Sequence, residues 1–174
     1  MARTPQLRGV GAILVRDGRV LVGLRRGGPA TGTWSFAGGK VEPGETAIET
    51  AERELFEETG LRGANPRLVA FQTIGEVEPG VEFETRFVVL DWVAGEPAEP
   101  EPHKCGDWQW RDWNDLPEPL FAPVAALLES GFASWEAGGA ALRSTIDSVS
   151  AIESVSAIES VSTIESVIAV DPAA

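Results

Sequence analysis

Three observations in the sequence predict an α/β layer sandwich. Short β-rich runs lie both before and after one strongly amphipathic helical segment, residues 46–60. A second, shorter helical segment follows the last β-rich run, at residues 122–130. Stretches rich in glycine and proline separate several of these runs, as is typical of loops. Strands on both sides of a buried helix, closed by a C-terminal helix, favour a sheet that is covered by helices.

The strands are predicted from runs of β-branched and apolar residues. Residues 9–16 and 19–24 form a predicted hairpin, because Asp17-Gly18 between them suits a tight type I′ turn. A loop rich in Glu, Pro and Gly is predicted at residues 75–82, and the acidic, proline-rich segment 95–104 is predicted to lack regular structure. The other predicted strands are residues 66–74, 83–93 and 107–111.

The central helix is predicted from its capping residues. Thr46 and Glu49 have the spacing of a capping box, in which each side chain bonds to the backbone of the other residue. Gly60 supplies the positive φ that commonly ends a helix. Between the caps, one apolar stripe is expected to pack against the rest of the protein. The stripe consists of Ile48, Ala51 and Leu55.

Three glutamates crowd this helix beside the apolar stripe. Glu54 and Glu58 are one turn apart and fall within roughly 40° of each other, and Glu57 lies about 60° further round. Like charges at this spacing repel by a few tenths of a kcal/mol, so the cluster weakens the helix unless a cation binds. Oxygen ligands at this density suit Mg²⁺ or Mn²⁺. A solvated acidic helix face is the plainer alternative.

The segment around this helix resembles the Nudix box at every specified position. Gly39 is followed by five residues, Glu45, seven residues, and the run Arg53-Glu54-Leu55-Phe56-Glu57-Glu58-Thr59-Gly60-Leu61. The resemblance implies a Nudix α/β/α sandwich with a mixed β-sheet, here assigned to residues 1–135. It also implies a hydrolase of phosphate anhydrides that uses a divalent metal ion.

The resemblance implies roles for single residues. Glu54, Glu57 and Glu58 would hold one to three Mg²⁺ ions, with Mn²⁺ as the alternative, together with the carbonyl of Gly38. Either Glu54 or Glu57 would act as general base. A further acid from a loop, Glu99 or Glu101, would complete the metal site. The residues expected to be structural are Gly39, Glu45, Arg53 and Gly60.

Substrate contacts are also implied by resemblance. An arginine after the second strand, Arg25 or Arg26, would reach the substrate phosphates. Residues 102–110, 113–117, 120–121 and 131–132 are similar to small cytosolic Nudix hydrolases of nucleoside triphosphates, including oxidised or thiolated purine forms. Those proteins usually have Trp-Gly-Leu after Leu-Phe where this chain differs, which leaves base preference open. The base-pocket residues implied here are Ser35, Phe36, Ala122, Pro123 and Val124.

The first hypothesis is a pyrophosphohydrolase that converts a nucleoside triphosphate to monophosphate and pyrophosphate. The alternative within enzymes is hydrolysis of another linked diphosphate, such as ADP-ribose, a dinucleotide or a prenyl diphosphate. Pro79 lies roughly where ADP-ribose hydrolases carry a proline, whereas the dinucleotide type usually has a tyrosine and this chain has none. A catalytically silent nucleotide-binding module is disfavoured because the three box glutamates are intact.

The composition of the chain limits the classes of molecule that it is expected to bind. The net charge of −13 argues against a nucleic-acid duplex or an anionic membrane, so a small nucleotide or other diphosphate is expected. Cys105 is the only cysteine, which excludes an internal disulfide, and no signal peptide or membrane span is recognised, which predicts a cytoplasmic protein. Neither Cys105 nor His103, the only histidine, is expected to be catalytic. A homodimer is left open.

The C-terminal residues form a separate region. After a linker at residues 136–143, a six-residue motif recurs through residues 144–174 as TIDSVS, AIESVS, AIESVS and TIESVI. Apolar residues every three positions match neither the helical nor the strand period. We predict a low-complexity, mostly disordered tail without a catalytic part.

Overall fold

The structure is a computed structural model that describes residues 6–28, 30–78 and 81–132. The predicted linker and tail, residues 136–174, and Pro79 lie outside the described residues. In the described part of the chain, neither helix has the length and apolar character needed to cross a membrane. The elements in chain order are β1 (Gln6–Arg16), β2 (Arg19–Arg25), β3 (Trp34–Ser35), β4 (Ala37–Lys40), α1 (Ala47–Thr59), β5 (Gly63–Glu78), β6 (Val81–Trp92), β7 (Cys105–Asp112) and α2 (Ala122–Glu129).

The described strands form one mixed sheet. Its order is β3-β2-β1-β6-β5, with β4 paired to β1 and β7 paired to β2. Strands β1 and β6 run parallel, from Gln6 opposite Glu82 to Val15 opposite Asp91. The other pairings in the sheet are antiparallel. The predicted mixed sheet is therefore confirmed.

Strand β1 of the first hairpin pairs with both β2 and β4, and β4 carries the double glycine. Asp17 and Gly18 have φ values of 48° and 77°, both positive as a type I′ turn requires. The end of β1 next to the turn pairs with β2, whereas the earlier part of β1 pairs with β4. The second pairing places Gly39 opposite Val10 and Gly38 opposite Gly11. The double glycine thus lies in the sheet, beside the helix that follows it.

The two helices cover opposite faces of the sheet. Residues alternate along β6, so Val88 and Leu90 pack in one core cluster and Phe87 and Val89 in the other. The first cluster includes the α1 residues Ala51 and Leu55, and the second includes the α2 residues Val124 and Leu127. This arrangement confirms the α/β/α sandwich.

The structure corrects the predicted strands at two places. Strands β3 and β4 are too short to be recognised locally, and half of β4 is glycine. They form because β2 and β1 supply pairing partners. The loop predicted at residues 75–82 is wrong, since β5 continues to Glu78 and β6 begins at Val81. Glu82 pairs with both Gln6 and Glu76, so pairing on two sides overrides the loop-like composition.

Candidate active site

Helix α1 begins and ends at the predicted caps. The Thr46 hydroxyl accepts a hydrogen bond from the Glu49 amide at 3.2 Å, and the Glu49 carboxylate accepts one from the Thr46 amide at 2.8 Å. Gly60 has a φ of 73° and donates its amide to the Phe56 carbonyl at 2.8 Å. These bonds define the first and last turns of the helix, and packing of Ala51 and Leu55 in the core sets which side of it faces the sheet.

A cavity of about 280 Å³ lies where α1 faces β4 and the start of β7. It combines two buried glutamates, the backbone of the double glycine and three basic side chains. Its lining residues are Arg25, Gly27, Phe36, Gly38, Gly39, Lys40, Glu54, Glu58, Lys104 and Cys105.

Glu54 and Glu58 are held against the double glycine. The amide of Gly38 donates to the Glu58 carboxylate at 3.1 Å. A side chain at Gly39 would overlap the Glu54 carboxylate, so glycine is required for this close approach. Each glutamate is only 8% exposed, and burial raises the pKa of both, to about 7 for Glu58. Burial therefore disfavours the charged form of both acids unless a cation lies beside them.

Arg53 positions Glu54 from the edge of the cavity. Its guanidinium forms a bidentate pair with Glu45, at 2.7 and 2.9 Å, and contacts Glu54 at 2.7 Å. A further bond at 3.2 Å reaches the carbonyl of Lys40. Hydrogen bonding to Arg53 lowers the pKa of Glu45 to about 2, which keeps that carboxylate charged. The Arg53–Glu45 pair therefore links helix α1 to the turn that precedes it.

Glu57 lies outside the cavity. Its side chain is 43% exposed and contacts Arg53 at 3.2 Å through the same nitrogen that binds Glu54. It lines a separate groove of about 270 Å³ on the outer surface of α1, together with Glu52 and Phe56. Glu57 is about 100° from Glu58 round the helix, and its side chain lines the outer groove rather than the cavity.

The sequence predicts that three carboxylates converge, whereas two of them, Glu54 and Glu58, line the cavity. Within residues 6–28, 30–78 and 81–132, no three His, Cys, Asp or Glu side chains are grouped as a ready metal site. The pair that shares the cavity is Glu54 and Glu58, and Glu57 adjoins Glu54 only through Arg53.

The donors in the cavity nevertheless suit a hard divalent ion. Two carboxylates supply oxygen atoms, which Mg²⁺ and Mn²⁺ prefer, and Gly38 and Gly39 line the same cavity. Because burial disfavours the charged form of both glutamates, a cation would be stabilised by them and would stabilise them in return. Mg²⁺ usually keeps several waters, so it does not need a complete protein cage.

The two arginine candidates have different surroundings. Arg25 lines the cavity, and its guanidinium carbon lies 4.4 Å from the centroid of the Phe121 ring. Arg26 instead forms ion pairs of 2.9 Å with Glu99 and with Asp107. Of the two, only Arg25 contributes to the cavity.

The expected base-pocket residues are only partly at the cavity. Phe36 lines it and stacks on Trp113, with ring centroids 6.1 Å apart and planes 6° apart. Ser35 is buried and donates its hydroxyl to the Phe36 carbonyl at 3.0 Å. Val124 packs in the core, and it does not line the cavity, nor do Ala122 and Pro123.

The loop before β7 brings residues that sequence reasoning missed. The carbonyl of Lys104 accepts hydrogen bonds from the amides of Arg26 and Gly27, at 2.8 and 3.3 Å, which ties this loop to the end of β2. Lys104 thereby lines the cavity, although no local pattern marks it. Cys105 lines it too, but burial raises the pKa of its thiol to about 12, so the thiol stays neutral.

The two acids considered for completing a metal site differ in their contacts. Glu99 is engaged by Arg26 at 2.9 Å and by the Asp107 amide at 2.6 Å. Glu101 pairs with Lys104 at 2.9 Å, next to the cavity. Glu101 is therefore the better placed of the two. His103 does not line the cavity.

Comparisons with known proteins identify relatives of this fold and site. The family described as NUDIX domain matches residues 5–129. The oxidized purine nucleoside triphosphate hydrolase of Danio rerio is 36% identical over 108 residues, and the ADP-ribose pyrophosphatase of Methanocaldococcus jannaschii is 30% identical over 112 residues. These matches cover 60% and 64% of this chain and 65% of each relative, slightly under two thirds of their length.

A solved structure is similar as well. The crystal structure of a MutT NUDIX hydrolase from Burkholderia pseudomallei matches with a TM-score of 0.65 and 31% identity. The match covers 71% of this chain and 96% of that chain. The similarity therefore includes nearly the whole of that smaller protein.

Proposed function

This chain belongs to the NUDIX family, and from that premise we propose that it is a Mg²⁺-dependent pyrophosphohydrolase of nucleoside triphosphates. The products are the nucleoside monophosphate and pyrophosphate. The observation that carries the proposal is the cavity in which two buried glutamates, Glu54 and Glu58, face basic side chains across the double glycine.

The acidic and basic groups have separate tasks. Glu54 and Glu58 bind the metal ion, and Arg25 binds phosphate oxygens of the substrate. Bound Mg²⁺ supplies positive charge to the phosphate oxygens and lowers the pKa of a water molecule. The arginine is needed because a chain of net charge −13 otherwise repels a polyphosphate.

Glu54 is a better general base than Glu57. It is buried and lies inside the cavity, whereas Glu57 is half-exposed and lies on the outer surface of α1. Arg53 orients its carboxylate at 2.7 Å, and burial raises its pKa, which makes it a stronger proton acceptor. Glu54 takes a proton from water as the water oxygen attacks phosphorus and the P–O–P link breaks. The proton later leaves to solvent.

The substrate class is a proposal that rests on the relatives. The similarity to an oxidized purine nucleoside triphosphate hydrolase favours a purine triphosphate. The second candidate is another linked diphosphate. It is supported by the similarity to an ADP-ribose pyrophosphatase.

The proposal is tested by measuring turnover with Mg²⁺ on 8-oxo-dGTP, dCTP, ADP-ribose and geranyl diphosphate. We expect hydrolysis of a triphosphate, with pyrophosphate as product. Glu58→Gln should lower kcat at least about 100-fold, because it removes a charged ligand from the cavity. Glu52→Gln is the matched control, since Glu52 is an exposed glutamate of the same helix that lines only the outer groove.

Two results would contradict the proposal. Unchanged turnover in Glu58→Gln would remove the cavity from the reaction. Absence of turnover on all four compounds, with nucleotide binding retained, would favour a binding module.

A further inference from the structure

The two lysines of this chain line the same cavity. Lys40 and Lys104 are the only lysines in the sequence, and the other twelve basic residues are arginines. Both lysines line the cavity that contains Glu54 and Glu58. Lysine differs from arginine in that it presents a compact point charge on a flexible stem, which suits contact with a phosphate oxygen.

Lys104 has a fixed backbone and an adaptable side chain. Its carbonyl accepts bonds from Arg26 and Gly27, and its amide donates to the Glu101 carbonyl at 2.9 Å. Its side chain is 50% exposed, and its ammonium pairs with the carboxylate of Glu101 at 2.9 Å. Exposed pairs of this kind contribute little to stability, so a more highly charged anion can replace the carboxylate.

The Lys104 ammonium also interacts electrostatically with the buried carboxylates of Glu54 and Glu58. The hydrogen bond to Glu101 is the main reason that the pKa of Lys104 is raised, and the charges of Glu54 and Glu58 raise it further. Lys104 lines the same cavity as the two carboxylates that would hold the metal ion. A diphosphate bound in this cavity would therefore share it with Lys104.

We propose that Lys104 is a substrate-binding residue whose ammonium exchanges Glu101 for a phosphate oxygen of the substrate. The proposal rests on the proposed function of the same cavity and adds a specific cationic contact to it. The competing interpretation is that the Lys104–Glu101 pair only stabilises the loop before β7.

Kinetics separate the two interpretations. Lys104→Met should raise KM about tenfold or more while kcat changes less than about threefold, because a charge-assisted bond to bound substrate is lost. Lys104→Arg should recover most of the affinity, since it keeps the charge. Arg19→Met is the control: Arg19 also forms an exposed ion pair, with Asp112 at 3.6 Å, but it lies at the opposite end of β2 from the cavity.

A KM for Lys104→Met within about twofold of the Arg19→Met value would overturn the proposal, since both variants then show only the loss of a surface pair. If no diphosphate is hydrolysed by the natural chain, the proposed function fails on that result alone. Lys104 is then judged by direct binding.

Direct binding can be observed in the natural sequence because lysines are so few. Reductive methylation with ¹³C-formaldehyde keeps the lysine charge and introduces a resolved methyl signal at each lysine, and Lys104→Arg assigns the signal of Lys104. Addition of pyrophosphate with Mg²⁺ should shift that signal saturably. A Lys104 signal that does not respond, while pyrophosphate binding is detected by calorimetry, would overturn the proposal without affecting the proposed function.

Discussion

The two sides of helix α1 carry the same type of residue in different surroundings. On the inner side, Glu54 and Glu58 are 8% exposed and lie against the glycines of β4. On the outer side, Glu57 is 43% exposed and lines an open groove with Glu52. Burial raises the pKa of the inner pair, to about 7 for Glu58.

This difference shows that the density of glutamates on a helix does not by itself make a site. What distinguishes the inner pair is the strand opposite it, whose glycines let backbone and carboxylate approach closely. Arg53 marks the boundary between the two sides, because one of its nitrogens contacts both Glu54 and Glu57. The comparison can be tested by changing matched residues on each side.

The largest contrast is expected between Glu54→Gln and Glu57→Gln. The first should lower kcat at least about 100-fold, because it removes the proposed base and a metal ligand together. The second should lower kcat less than about tenfold, because Glu57 acts on the site only through Arg53. Steady-state kinetics at saturating Mg²⁺ measure both. Equal losses would show that Glu57 enters the cavity during the reaction.

Stability should differ between neighbouring apolar residues on the two sides. Leu55 is fully buried, so Leu55→Ala should lower the free energy of unfolding by about 2–5 kcal/mol. Phe56 is 44% exposed and contacts Arg62, whose guanidinium carbon lies 4.3 Å from the ring centroid. Phe56→Ala should cost only about 1 kcal/mol. Urea denaturation at one pH compares them, and similar costs would argue that the outer groove is covered in solution.

The inner pair should also make stability depend on pH when metal is chelated. The pKa of Glu58 rises from 4.5 to about 7 in the folded state, so the folded protein keeps a proton that the unfolded chain loses. Stability should therefore fall as pH rises from about 4.5 to about 7, by roughly 3 kcal/mol at most. Urea unfolding in the presence of a chelator measures this fall. Glu58→Gln should flatten it, Glu52→Gln should not, and Mg²⁺ should oppose it by binding the folded state.

Much of the fold could be predicted because its signals are local. The caps at Thr46 and Gly60 and the type I′ turn at Asp17-Gly18 each depend on a few adjacent residues. Strands β3 and β4 could not be predicted in this way, because they form only where distant strands offer a partner. The loop expected at residues 75–82 failed for the same reason.

The site divides along similar lines. Spacing alone predicted that Glu54, Glu57 and Glu58 share a face, and family resemblance added the carbonyl of Gly38. Of the three glutamates, Glu54 and Glu58 line the cavity and Glu57 lines the outer groove. The sequence could not show which of Arg25 and Arg26 lines the cavity. That depends on the ion pairs of Arg26 with Glu99 and Asp107, which lie far along the chain. Nor could the sequence identify Lys104, which reaches the cavity through the pairing of β7 with β2.

By itself, the sequence determined the helix, its limits and the presence of an acidic cluster, since capping and helical periodicity act within one or two turns. Only the tertiary structure decided which acids are withdrawn from water and which cations stand opposite them. The reason is physical: burial and the approach of charges depend on strands that are remote in the chain, and these are brought together only by the pairing of the sheet.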